Sequence, residues 1–221
     1  MNLGQLAAFA AAKLGVSNTT TTNLAKDYAK ARWRMIWDAA NWRQARHKDV
    51  VAVSSGTQDV TLPEEFEFAQ ACRWGDNLEL LPLNDLAALA SNAGGFDAAG
   101  PVLSFTLLSK DSDGNARIRL FQVPEEAKNL LVLGKRKCVE LASDSDTPLI
   151  PGVEQCLLAF VMGDLYQWMR QFAKAEAFFA EAQAHLQKMI EIETAQATEL
   201  RRIIPVEQIL DGDTHHDWLT G

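Results

Sequence analysis

The residues best suited to chemistry in this chain sit near its end. His215 and His216 lie beside Asp213 and Asp217, and imidazole and carboxylate groups are ligands for divalent metals. Adjacent histidines point apart in most backbones, so the pair reads as incidental rather than as a metal site. Asp144 and Asp146 lie two apart ahead of Pro148, on one side of an extended chain. That spacing suits capping a turn and the incoming helix better than acid–base work. Asp164 interrupts an apolar helical stripe and is expected to be hydrogen-bonded or turned to an edge. Cys72, Cys138 and Cys156 are far apart and form no C-x-x-C, so they read as buried apolar thiols in a reducing compartment. No G-x-S-x-G elbow occurs, and glycine-rich 92–100 lacks the G-x-x-x-x-G-K-[ST] order of a phosphate cradle. The residue types direct attention to assembly rather than catalysis, with no cofactor or metal expected.

The elements that must carry such a surface are helical at both ends and β-patterned between them. A length of 221 residues fits one domain or two small ones. The 48% hydrophobic content is enough for a core, yet no apolar run approaches the roughly 18–20 residues of a membrane span. The alanine-rich start lacks a basic segment and a cleavage site, so a secretory signal is not expected. Charge is unevenly spread. Residues 1–50 hold eight Lys/Arg against three Asp/Glu, a balance of +5, and the remainder holds thirteen against twenty-six, a balance of −13. An acidic whole does not wrap nucleic acid tightly. A basic stripe beside an acidic remainder suits head-to-tail contact between copies.

Asn2 caps a first helix to about residue 14, with Leu3, Leu6, Phe9, Ala10 and Lys13 at helical spacing and Gly15 as its stop. A second helix is expected over 23–46, with Leu24, Tyr28, Ala31, Met35, Ala39 and Trp42 on one face. Trp33, Ile36 and Trp37 widen that surface beyond what one helix partner needs, which suits a core or an oligomer interface. From Asp49 the period becomes two. Val51, Val53, Val60 and Leu62 flank a hairpin at Ser54-Ser55-Gly56-Thr57, and a second hairpin turns at Asp113-Gly114. A short helix is expected over 85–91, and six or seven strands suffice for a small barrel or sandwich. Gly152 opens a third helix through Val153, Cys156, Leu157, Phe160, Val161, Leu165, Trp168, Met169 and Phe172. A turn at 172–174 leads into a fourth, lined by Ala175, Phe178, Phe179, Ala182, Leu186, Met189, Ile190 and Glu193. The end of the chain carries Ile203, Ile204, Val206, Ile209, Leu210, Trp218 and Leu219 in a polar, proline-interrupted context. Such residues dock on something, either their own subunit or a partner.

The expected fold class is α+β: a bundle of about four helices (1–48 and 142–199), an inserted antiparallel β-domain (49–141), and an extended C-terminal arm (200–221). The order of pieces carries a resemblance. Met1-Asn2-Leu3-Gly4-Gln5-Leu6 opens a helix, and a longer helix over 24–42 holds tryptophans near its end. Residues 53–66, the exit Phe121-Gln122-Val123-Pro124-Glu125-Glu126-Ala127, and a strand over 130–137 ending in basic residues follow. Asp144-Ser145-Asp146-Thr147-Pro148-Leu149-Ile150-Pro151 then leads into a helical hairpin. This resembles the tailed-bacteriophage head-to-tail adaptor proteins, also called connector or tail tubular proteins, over nearly the whole chain.

The resemblance implies a virion protein, assembled in the host cytoplasm, that forms a ring of about twelve copies beneath the portal vertex. Its partners would be further copies of itself, the portal protein and tail or nozzle proteins. Genomic DNA would pass without specific binding, and no membrane is involved. Portal docking falls to Ile203, Ile204, Val206, Ile209, Leu210, Trp218 and Leu219, and subunit contact to Arg32, Trp33, Arg34, Trp37, Arg43 and Arg46. Two rival readings are another neck component, such as a head-completion or tail-terminator protein, and a metal-dependent hydrolase built on the His215 cluster.

Overall fold

The computed structural model describes residues 1–16, 18–85 and 98–200, with side chains through 195. The fold is α+β, and among the described residues it holds four α-helices and eight strands. The expected short helix over 85–91, most of the 92–100 loop and the 201–221 arm lie outside the described residues. Two compact units divide the chain. One joins Met1–Ile36 to the segment from Leu141, and the other is Trp37–Glu140.

In the first unit α1 is Leu3–Lys13. Asn2 Oδ1 accepts the Gln5 N–H at 2.8 Å, and Gln5 Oε1 accepts the Asn2 N–H at 3.1 Å, so two amides with no helical partner are satisfied reciprocally. Gly15, at φ 70°, follows the C-terminus in the left-handed region. The buried face is Leu3, Leu6, Ala7, Ala10 and Ala11. Phe9, expected on that face, is half exposed, with the Lys13 ammonium 5.7 Å from its ring centroid.

Helix α2 is Thr19–Ala39, so it starts and ends earlier than the expected 23–46. Asn18 Oδ1 accepts the Thr21 N–H at 2.7 Å and sets that start. Its buried positions are Thr21, Ala25, Ala29, Trp33, Ile36 and Trp37, whereas Ala31, Met35 and Ala39 are exposed. The expected stripe was thus rotated by about one residue. Large side chains drew the reading toward Leu24 and Tyr28, whereas the small Ala25 and Ala29 are the fully buried positions in that part of the helix. Trp42 is buried as expected, but it precedes a 3₁₀ turn at Arg43–Ala45 and is not helical.

Helices α3 (Val153–Trp168) and α4 (Phe172–Leu200) form the expected αα-hairpin. The turn falls at 169–171, with Arg170 at φ 59°, and Phe172 already belongs to α4. Between residues 141 and 151 the chain comes back to α1. The Asp146 carbonyl accepts the Leu3 N–H at 2.9 Å and the Asp144 carbonyl accepts the Gly4 N–H at 3.0 Å, filling orphan donors at that helix start. A side chain at Gly4 would place its Cβ 3.1 Å from the Asp144 Cβ. The Asp144 carboxylate also pairs with Lys26 at 2.7 Å. These acids therefore cap α1 and their own turn rather than the incoming helix.

The second unit holds two three-stranded antiparallel sheets around one apolar core. In one, β8 (Lys128–Arg136) lies between β1 (Arg46–Val53) and β3 (Phe66–Trp74). In the other, β6 (Arg117–Phe121) lies between β2 (Asp59–Thr61) and β5 (Ser104–Leu108). A parallel pair, β4 (Ala99–Gly100) with β7 (Val123–Pro124), is separate. The β5–β6 hairpin forms as Asp113-Gly114 indicated, with Gly114 at φ 78°. The hairpin expected at 54–57 does not form: β1 pairs with β8 and β2 with β6. Eight residues of β1 find a nine-residue partner only far along the chain. Phe66, Cys72, Phe105, Ile118, Leu120, Leu130 and Val132 are fully buried in the shared core. At Gly134 an added Cβ would fall 2.3 Å from the Phe68 carbonyl, which explains a glycine mid-strand.

Among the described residues, three carboxylates are held below the usual range. Hydrogen bonding to Arg119, with help from Arg117, holds Asp59 below the usual range. The Asn115 amide does the same for Asp111, and the Ser143 hydroxyl and amide for Asp146. A depressed carboxylate contributes stability above its unfolded pKa and loses it as pH falls through the folded value. Stability is therefore expected to hold at neutral pH and fall below about pH 4. Urea unfolding across that range should show a shallower acid loss for Asp59→Asn than for the parent chain.

Candidate functional site

Among the described residues no group of three or more His, Cys, Asp or Glu could hold a metal ion. His215 and His216 lie outside the described residues. Burial pushes the Cys72 thiol up to about 12 and the Cys156 thiol up to about 11, so both behave as packed apolar groups. Cys138, expected to be buried, is only half-buried. An open cleft of about 340 Å³ in the β unit is lined by Phe68, Ala69, Leu107, Leu108 and Arg117, and the Glu67–Lys110 ion pair belongs to its wall.

The surfaces are more informative. Arg32 is engaged inside the helical unit. Its Nε donates to Asp164 Oδ2 at 2.8 Å and its Nη2 to Asp164 Oδ1 at 2.5 Å, a two-pronged pair. The guanidinium lies 5.1 Å from the Phe160 ring centroid and 5.2 Å from that of Phe179. The hydrogen bonds to Asp164 raise the Arg32 pKa further. Gly163 lets α4 come this close, since a Cβ there would sit 2.6 Å from the Phe179 ring. Asp164, which interrupted the sequence stripe, thus has a positioned cation on another helix. The signal was available as one acid and one arginine on apolar faces, but not their pairing.

Trp33 and Trp37 are fully buried within the chain, and the Trp37 indole donates to the Arg136 carbonyl at 3.2 Å. Arg34, Arg43 and Arg46 are exposed. At the turn of the αα-hairpin, Trp168 and Phe172 are 52% and 60% exposed. Farther along α4, Leu186, Met189 and Ile190 are half-buried and Ile192 is half exposed. The β unit exposes a larger set: Leu78 fully, and Leu80, Leu83, Leu103 and, on β1, Val50 by about half. Sequence periodicity placed Trp168 and Phe172 in the core, because it carried the stripe beyond Leu165, the last buried residue of α3, and into the turn. No described helix is long and apolar enough to cross a membrane.

The strength of the Arg32 pair is testable. Asp164→Ala strands a half-buried guanidinium between two rings and is expected to cost about 3 kcal/mol in urea unfolding. Arg32→Met with Asp164→Leu should recover most of that loss, because it removes both charges and keeps the volume.

Comparison with known proteins places the chain in a family. No curated protein matches the chain. The family model described as SU10 adaptor protein matches residues 1–205, which takes in all four helices and all eight strands. The chain belongs to the SU10 adaptor protein family: it is a bacteriophage head-to-tail adaptor, a structural component of the virion that associates with other head and tail proteins.

Proposed function

We propose that this adaptor acts as a ring of about twelve copies that joins the portal vertex to the tail and leaves a passage for DNA. Membership of the adaptor family over residues 1–205 carries the reading. Charge supports it. The basic first part and acidic remainder of each copy are complementary patches for a heterologous contact, which repeats around a closed ring. The exposed Arg34, Arg43 and Arg46 are the contact groups of the basic stripe. Arg32, Trp33 and Trp37 support that stripe from within. The acidic remainder keeps a DNA channel non-adhesive, since phosphate is repelled by like charge. The 200–221 arm docks on the portal through Ile203, Ile204, Val206, Ile209, Leu210, Trp218 and Leu219, and it orders on binding.

Replacing Trp218 and Leu219 with alanine separates docking from folding. The double variant is expected to melt with the parent chain and to bind purified portal at least about tenfold more weakly, a loss of about 1.4 kcal/mol. Unchanged portal affinity contradicts the docking role of the arm.

A further inference from the structure

Among the described residues, strand β1 is an open edge. It lies outermost in its sheet, and its eight residues pair with β8 without a break, from Arg46 against Lys135 to Val53 against Lys128. Two hydrogen bonds fix which of its backbone groups face away. The Asn129 carbonyl accepts the Gly75 N–H at 2.8 Å, on the β3 side. Ala52, which faces Asn129 across the ladder, therefore turns its amide and carbonyl outward. The Val50 N–H donates to Asp49 Oδ1 at 2.7 Å instead of to a strand. Alternation then places Arg46, Lys48, Val50 and Ala52 in the outward set, and all four are exposed.

Natural edges are blunted by bulges, proline or shortness. The opposite edge, β3, has two register shifts. β2 has three residues. β1 has neither register shift nor proline, and is guarded only by Arg46, Lys48 and the Asp49 carboxylate seated on the Val50 amide.

The side chains along this edge specify a complement. An antiparallel strand here meets Ala52, then apolar Val50, then the cations Lys48 and Arg46, at alternate positions. Residues 207–213 of this same chain present that order: Glu207, then apolar Ile209, then the acids Asp211 and Asp213. From Ile203 onward the chain has four acidic residues and no Lys or Arg. Twenty-one residues follow Leu200, the end of α4. Extended, such a segment reaches up to about 70 Å, enough to arrive at a neighbouring copy.

We propose that residues 207–213 of one copy add as an antiparallel strand to the outer edge of β1 in a second copy. Ile209 lies against Val50, Asp211 against Lys48 and Asp213 against Arg46. The Val50 N–H exchanges the Asp49 carboxylate for a ladder bond. The contact is heterologous, so it repeats from copy to copy, and in this it rests on the ring reading above. Ile209 and Leu210 are thereby held by the second copy instead of the portal, while Ile203, Ile204, Val206, Trp218 and Leu219 lie outside the paired stretch and remain for portal docking.

Cross-linking of two singly substituted full-length chains tests this. Val50→Cys and Ile209→Cys, each also carrying Cys138→Ser, are mixed and mildly oxidised, with and without portal. Directly opposed Cα atoms in such a pair are about 5.5 Å apart, within disulfide range. The expected result is a covalent heterodimer at least about tenfold above that from Leu210→Cys, which puts the thiol on the opposite face. Adding Lys48→Glu to the Val50→Cys chain should lower the yield, and adding Asp211→Lys to its partner should restore it. Absence of the heterodimer overturns the proposal whether or not a ring has formed. So does cross-linking confined within single chains carrying both cysteines, which gives the edge to the copy's own segment. The mass of the portal-bound assembly, measured in parallel, reports on the ring reading separately.

Discussion

The helical unit depends on one ionic contact placed where charge is least welcome. Asp164 sits in the middle of the apolar face of α3 and is almost fully buried. An unpaired carboxylate there would carry a large desolvation penalty. Arg32 of α2 meets it with two parallel hydrogen bonds, and its planar face lies between Phe160 and Phe179. A lysine could supply the charge but neither the fork nor the flat surface. The contact joins three helices at one point: α2 gives the cation, α3 the anion and one ring, α4 the other ring. It also sets the register of α2 against α3, since a one-residue rotation would bury the acid without its partner. Gly163 is the local consequence, a position emptied so that Phe179 can close over the pair.

A second constraint follows from the split of that unit in sequence. Helix α1 and the segment after Leu141 are far apart along the chain, so the loop between them must close before either is useful. The structure fastens them through backbone, not only through side chains. The carbonyls of Asp144 and Asp146 take the first amides of α1, and Lys26 of α2 binds the Asp144 carboxylate. The side chain of Asp146 holds the turn itself by accepting from the amides of Ala142 and Ser143. A protein whose work is to hold other proteins gains from this arrangement. Helices α1 and α2 are fastened to the segment that leads into the αα-hairpin, while Trp168 and Phe172 at its turn stay exposed.

Much of the architecture was legible because it rests on local signals. The Asn2–Gln5 capping box, Gly15 and the Asp113-Gly114 hairpin are short-range devices, and each appears as the residues indicated. The α3 stripe was equally clear up to Leu165. What periodicity could not supply was partnership. The strands flanking Ser54-Ser55-Gly56-Thr57 resemble a hairpin locally, yet the longer β8 outcompetes β2 for β1. The face of α2 was misjudged because part of it is carried by Ala25 and Ala29, which a search for large apolar groups overlooks. The Arg32–Asp164 pair joins residues more than a hundred positions apart, so neither half announced the other. Of the residues expected at interfaces, Trp33 and Trp37 are buried, whereas Arg34, Arg43 and Arg46 are exposed. The residues assigned to portal docking lie outside the described part of the chain.

The central claim is that this chain is built to assemble on other virion proteins. It is tested most directly by the mass of the full chain in solution, measured by light scattering with and without purified portal from the same virus. The account predicts that portal adds a discrete complement of about a dozen copies to each portal ring. A monomer or dimer whose mass is unmoved by portal would contradict it.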